Sequence, residues 1–198
     1  MDQNQKNPDE LRKARNYALR LLKVRLRSKE ELKGRLKQKG YASSMIEAVI
    51  EELENSKLLD DERFATFFAS DQIEFHVKGP RYIKYKLKMF GVDDFIIESA
   101  LKRVFDDADL KKVFSRFVRN HRSKSEEEVT KMLIKRGFDP QTVHQTLLKI
   151  YEEWRCEDES GNDAHFDIRS NRHPGSDPGL SSREDKGTQR AKKGKGKR

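Results

Sequence analysis

The sequence predicts an all-α fold, an elongated array of three tandem three-helix repeats followed by a disordered C-terminal tail. Three observations carry this expectation. A pattern of 26 positions recurs three times without a gap, anchored on Gly40, Gly91 and Gly137. Its apolar spacings of 3, 4 and 7 are those of helices with one buried face. No segment alternates apolar and polar residues long enough to form a sheet, and Pro80 and Pro140 both fall at expected helix starts.

Each unit reads as a leading helix, a capped helix and a closing helix. The leading helix of the first unit runs from about Asp9 to Arg25, with Ala14, Ala18, Leu21 and Leu22 as its stripe. In the second unit it starts near Asp60-Asp61 and carries Phe64, Ala65, Phe67, Phe68 and Ile73. In the third it starts near Asp106-Asp107 and carries Leu110, Val113, Phe114, Phe117 and Val118. The capped helices open at Ser28, Gly79 and Ser125, twelve residues before each anchor glycine. A serine hydroxyl there accepts an orphan backbone N–H. Glu31 and Glu128, three residues on, complete a capping-box pattern. Gly79 is followed by Pro80, whose missing N–H costs little at the first helical position. Leu32, Ile83 and Val129, then Leu36, Leu87 and Leu133, face the core. The anchor glycine supplies the left-handed conformation that stops the helix.

The closing helices open at Ser43 or Ser44, at Asp93 or Asp94, and at Asp139 with Pro140. Their inner faces are Ile46, Val49, Ile50 and Leu53; Ile97, Ala100, Leu101 and Val104; and Val143, Thr146, Leu147 and Ile150. The repeats are expected at 9–58, 59–105 and 106–155.

The chain has 198 residues. After residue 155 its only apolar residues are Cys156, Ala164, Phe166, Ile168, Leu180 and Ala191. So little apolar surface does not offset the entropy of ordering, and 156–198 reads as a disordered tail with a basic end. Two readings of that end stay open, a nucleic-acid-seeking arm and a solubilising extension. No apolar run reaches the roughly 20 residues that cross a bilayer, and Met1–Glu10 has no signal-peptide core. One cysteine allows neither an internal disulfide nor a cysteine zinc site. The chain is expected to be cytoplasmic, with no membrane partner and no small-molecule substrate.

The net charge of +9 favours an acidic partner, although 39% charged residues make a heavily solvated surface in any case. The charge is segregated. Residues 11–41 hold twelve Lys or Arg and two acids, whereas 42–75 hold two basic residues and nine acids. Lys33 and Lys37 sit one helical turn apart in the first capped helix, and Lys84 and Lys88 match them in the second. Arg35 and Lys86 form a further matched pair, and Arg25, Arg27 and Arg81 extend the set. Two readings stay open: a face that contacts phosphates or an acidic surface, or a solvated face. The third copy has Thr130, Met132 and Ile134 at the equivalent positions, so it binds something else or packs.

Nothing in the chain assembles an active site. The three Asp pairs fall at expected helix starts, where carboxylates cap N–H groups. His76, His121, His144, His165 and His173 show no metal-ligand spacing. Cys156 has no activating base beside it in sequence, and no glycine-rich phosphate loop occurs. Tyr151 and Trp154 read as packing residues of the last helix. No cofactor and no enzymatic activity are expected.

Taken together, Leu58-Leu59-Asp60-Asp61-Glu62-Arg63-Phe64-Ala65 and Lys78-Gly79-Pro80-Arg81-Tyr82-Ile83, with Leu87 and Gly91, resemble the bacterial RecX regulators. Ala18-Leu19-Arg20-Leu21-Leu22, Arg27-Ser28-Lys29-Glu30-Glu31-Leu32 and Lys39-Gly40-Tyr41 match the same pattern. The resemblance spans about residues 9–155 and does not include the tail. It implies three-helix repeats that lodge in the groove of the RecA recombinase filament on single-stranded DNA. There they limit strand exchange and ATP hydrolysis and favour disassembly, within DNA repair and recombination. The motif residues themselves read as caps, stops and core, so the implied function is a property of the surface. A free-standing nonspecific nucleic-acid binder is the alternative.

Overall fold

A computed structural model describes residues 8–159, with side chains to residue 156. Among the described residues the chain is entirely helical in its regular structure: α1 (Pro8–Val24), α2 (Lys29–Gln38), α3 (Ser43–Asn55), α4 (Asp61–Glu74), α5 (Pro80–Met89), α6 (Asp94–Asp107), α7 (Leu110–Asn120), α8 (Glu126–Lys135) and α9 (Pro140–Glu159). α9 continues four residues into the segment expected to be tail; the rest of that segment, with His165 and His173, lies outside the described residues.

The helices pack in threes. α3 closes on α1 and α2, α6 on α4 and α5, and α9 on α7 and α8. The repeated apolar positions are what they bury. Leu32, Ile83, Val129, Leu36, Leu87 and Leu133 are fully enclosed, each contributing about 1.5–3 kcal/mol relative to exposure. The cores themselves number two among the described residues. α1–α3 enclose Ala14, Ala18, Val49 and Leu53, joined by Leu59 from the following turn. The second and third triplets share one continuous core, in which the Phe114 and Phe138 rings meet edge to face at 4.8 Å. Leu26, between α1 and α2, packs against that larger core and stitches the first triplet to it. Tyr151 and Trp154 pack there as expected.

Three local expectations are corrected. Asp106 and Asp107 do not open a helix; they form the last turn of α6, and Asp109 caps α7 by accepting from the Lys112 N–H at 2.9 Å. Phe67 points outward with 61% exposure, while Ala69 takes the buried position on α4. The full capping box forms at Ser125 and Glu128. At Ser28 only half of it forms, because the Glu31 carboxylate is drawn to Arg25 and Arg27.

The triplets are joined by one contact used twice. At the first junction the buried Ser28 hydroxyl donates to the Phe90 carbonyl, the C-cap of α5, at 2.5 Å. Beside it the Lys29 N–H donates to Asp61 at 2.9 Å. At the second, the Gly79 N–H donates to the Arg136 carbonyl, the C-cap of α8, at 2.9 Å, and the Arg81 N–H reaches the Gly137 carbonyl at 3.3 Å. The starts of α2 and α5 thus each sit on the glycine turn of the next triplet. A Cβ on Gly91 would lie 2.5 Å from the Glu30 Cβ, and one on Gly79 would lie 2.2 Å from the Gly137 carbonyl carbon. Both glycines are there for close approach, and Gly91 also for its φ of 72°.

Candidate partner-binding surface

α2 and α5 carry the cations expected to meet a partner, and each helix turns its leucine stripe inward and its lysines outward. On α5, Lys84 pairs with Glu98 and Lys88 pairs with Asp94 at 2.8 Å, both from α6. The Glu98 hydrogen bond holds the Lys84 ammonium above the usual lysine range, and the Lys88 hydrogen bond holds the Asp94 carboxyl below the usual carboxylate range. These pairs are exposed and screened by solvent, so they contribute little to stability. An incoming anion can therefore exchange for the carboxylate at little cost.

On α2, Lys33 pairs with Glu30 at 2.7 Å. Arg35 reaches the Gln38 side chain at 3.5 Å. Lys37 is exposed and makes no ion pair among the described residues. Arg81 approaches Asp139 across the second junction at 3.9 Å. Lys86 lies 5.8 Å and Lys78 4.6 Å from the centre of the Tyr82 ring, so two ammonium groups share one aromatic.

Arg25 and Arg27 belong to a different arrangement. Both bind Glu31, and Arg27, with a side chain only 10% exposed, also donates to the Leu21 carbonyl at 3.4 Å. The turn that inserts Leu26 into the larger core carries Arg27 inward with it. Arg27 therefore does not extend the exposed face, while Arg25 keeps a half-exposed head at its edge.

The structure adds a feature that the charge pattern did not reveal. Tyr85 and Met89 are 60% and 63% exposed, one turn apart on α5, in line with Arg81. Lys84 and Lys88 run beside them. Their signal in the sequence was an apolar i, i+4 pair set two residues off the buried Ile83–Leu87 stripe. The arrangement is a cationic ridge with an apolar crest, suited to contacting an acidic surface that also offers apolar area.

A cleft of about 390 Å³ between α4, α6 and α7 is lined by Arg103, Lys112 and Arg116 together with Glu74, Asp107 and Asp109. Arg116 donates to the Glu74 carbonyl and Arg136 to the His76 carbonyl at 2.7 Å, so these arginines cap the end of α4. Among the described residues no group of three His, Cys, Asp or Glu side chains gathers as a metal site, and no helix is long and apolar enough to cross a membrane.

Fold and surface together define an all-helical repeat protein that presents a cationic, partly apolar helix face. Family models place it further. The model for the first three-helix domain of RecX matches residues 14–53, and that for the second three-helix domain matches residues 60–101. The chain is 38% identical to regulatory protein RecX of Thermotoga petrophila over 139 residues, covering 70% of this chain and 85% of that one. It is also 38% identical to regulatory protein RecX of Prosthecochloris aestuarii, covering 69% of this chain and 92% of that one. The crystal structure of RecX from Lactobacillus salivarius superposes with a TM-score of 0.61 at 22% identity, over 72% of this chain and 97% of that one, which shows a shared fold. The chain belongs to the RecX family of regulatory proteins.

Proposed function

We propose that this protein binds the RecA recombinase filament on single-stranded DNA and mainly inhibits it, limiting strand exchange and ATP hydrolysis and favouring disassembly. Its membership of the RecX regulatory family carries this reading. The α5 ridge supplies a means: Lys84, Lys86, Lys88 and Arg81 around Tyr85 and Met89 suit a nucleoprotein surface made of acidic protein and phosphate. Arg35 and Lys37 on α2, with Lys33 and Arg25, offer a second cationic contact. Two such helices in one chain let modest contacts with neighbouring protomers act together through effective concentration. The protein acts in the cytoplasm, by contact alone, without cofactor or catalytic step.

The test is binding to RecA filaments and to bare single strands across a salt series. Tighter binding to filaments, falling steeply as salt rises, supports the reading. Equal or tighter binding to the bare strand overturns it in favour of a nonspecific nucleic-acid binder.

A further inference from the structure

The two internal junctions leave one unmatched half at each end of the array. Each triplet carries a helix start (Ser28, Gly79, Ser125) and a glycine turn (Gly40, Gly91, Gly137). Ser28 sits on the Gly91 turn and Gly79 on the Gly137 turn. Among the described residues no glycine turn receives the Ser125 start, and no helix start lies on the Gly40 turn. A Cβ built on Gly40 has open space around it, in contrast to 2.5 Å at Gly91 and 2.8 Å at Gly137. The Lys39 carbonyl, equivalent to the bonded Phe90 and Arg136 carbonyls, accepts no hydrogen bond in the described structure. Yet Gly40 has the same left-handed backbone as its counterparts, with φ 93° against 72° and 98°.

We propose that a second copy of this chain docks here head to tail, its Ser125 end on the Lys39–Gly40 turn. The unmatched halves repeat the chemistry of the first junction. Ser125, like Ser28, accepts the N–H three residues on, here at 3.3 Å, and keeps its own hydroxyl proton for donation. Glu127 occupies the position of Glu30, which lies against Gly91 in the first junction.

The charges are complementary. The first turn of α8 is Glu126, Glu127 and Glu128, and the open turn carries Lys37 and Lys39. Glu127 pairs with the exposed Lys131 and Glu128 with the exposed Lys124, pairs that cost little to displace, while Glu128 also accepts the Ser125 N–H of the capping box. At the position two after the glycine, where the third triplet has Asp139, the first has Ala42, so no carboxylate opposes the incoming acids. A contact between unlike surfaces is not self-complementary, so it propagates as an open chain, or as a ring where the rotation closes. Unlike the internal junctions it has no covalent tether, so it is concentration-dependent.

The experiment is sedimentation velocity on the full chain, nuclease-treated, over a rising concentration series. Wild type is expected to sediment faster as concentration rises, more so at low salt. Glu127→Lys alone and Lys39→Glu alone are expected to remain monomeric. An equimolar mixture of the two is expected to associate again, because each end then meets an opposite charge; this rescue also shows that both variants are folded. A wild type that stays monomeric throughout, single variants that associate like wild type, or a mixture that fails to associate would each overturn the proposal. So would association that disappears on nuclease treatment, since nucleic acid would then be the bridge.

Discussion

The Ser28 hydroxyl donates to the Phe90 carbonyl at 2.5 Å while its oxygen accepts the Glu31 N–H at 3.1 Å. One enclosed side chain therefore caps α2 and ties the first triplet to the second. Gly79 does the second of these tasks with its backbone alone, because a side chain there would collide with Gly137. The repeat is thus joined by helix caps, and substitutions at the caps separate joining from capping.

Ser28→Ala is expected to cost about 2–3 kcal/mol, combining a lost cap with a Phe90 carbonyl left without its donor. Ser125→Ala, at the exposed end of the array, loses a cap only and is expected to cost about 1 kcal/mol. Urea unfolding of the two variants measures the difference. Equal losses would mean that the Ser28–Phe90 bond adds nothing across the junction.

The anchor glycines separate in the same way. Gly40→Ala meets open space and suffers only the left-handed backbone, a cost of about 1–2 kcal/mol. Gly91→Ala adds a collision with the Glu30 Cβ at 2.5 Å and is expected to lose at least 1 kcal/mol more, as overpacking does. The same unfolding measurement decides it, and a Gly91 variant no worse than the Gly40 variant would count against close packing at this junction.

Asp61 gives the protein a pH signature. Burial, only partly opposed by the Lys29 N–H, raises its carboxyl above the ordinary 3.8. The folded state then holds a proton that the unfolded state has released, so stability falls as pH rises through the window from 3.8 up to the folded value. Asp61→Asn lacks that titration and keeps an oxygen for Lys29. Wild type is therefore expected to gain stability relative to Asp61→Asn as pH drops from neutral toward 4. A relative loss on acidification, measured by unfolding both proteins in parallel, would contradict the assigned cause.

Lys57, just past the Ser56 C-cap of α3, has φ 55°, a left-handed conformation on an exposed residue. Lys57→Gly removes the Cβ strain there and, after the entropy that glycine loses on folding, is expected to raise stability by about 0.5–1 kcal/mol. Thermal unfolding reads this as a small increase in Tm; a decrease would place an unrecognised contact on the Lys57 side chain.

Much of the fold was legible because it rests on local physics. Serine caps, glycine stops and the leucine spacing each act within one or two turns, and they located Leu36, Leu87 and Leu133 in the core without any tertiary information. The errors came where a longer-range contact decided. Arg27 follows Leu26 inward because Leu26 belongs to the core of the next triplet. Phe67 is out and Ala69 in because α4 packs closely on α6, where a small residue fits. Asp109 rather than Asp106 caps α7 because α6 runs a turn further than its apolar pattern. For the surface, charge pattern located the cations of α2 and α5 but not which carboxylates of α6 face them, since Glu98 and Asp94 lie on another helix. Tyr85 and Met89 stayed hidden because an exposed apolar pair looks like core until the true core stripe is known.

RecA filament ATPase, measured with and without this protein, tests the contact surface most directly when Lys33, Lys37, Lys84 and Lys88 are replaced together by glutamine. Glutamine is the right replacement, because a new carboxylate beside Glu98 and Asp94 would repel them. Wild type is expected to suppress the ATPase, and the folded quadruple variant to suppress it at least tenfold more weakly, about 1.4 kcal/mol of lost binding. Suppression undiminished in a variant with unchanged helicity would show that these helices do not hold the filament.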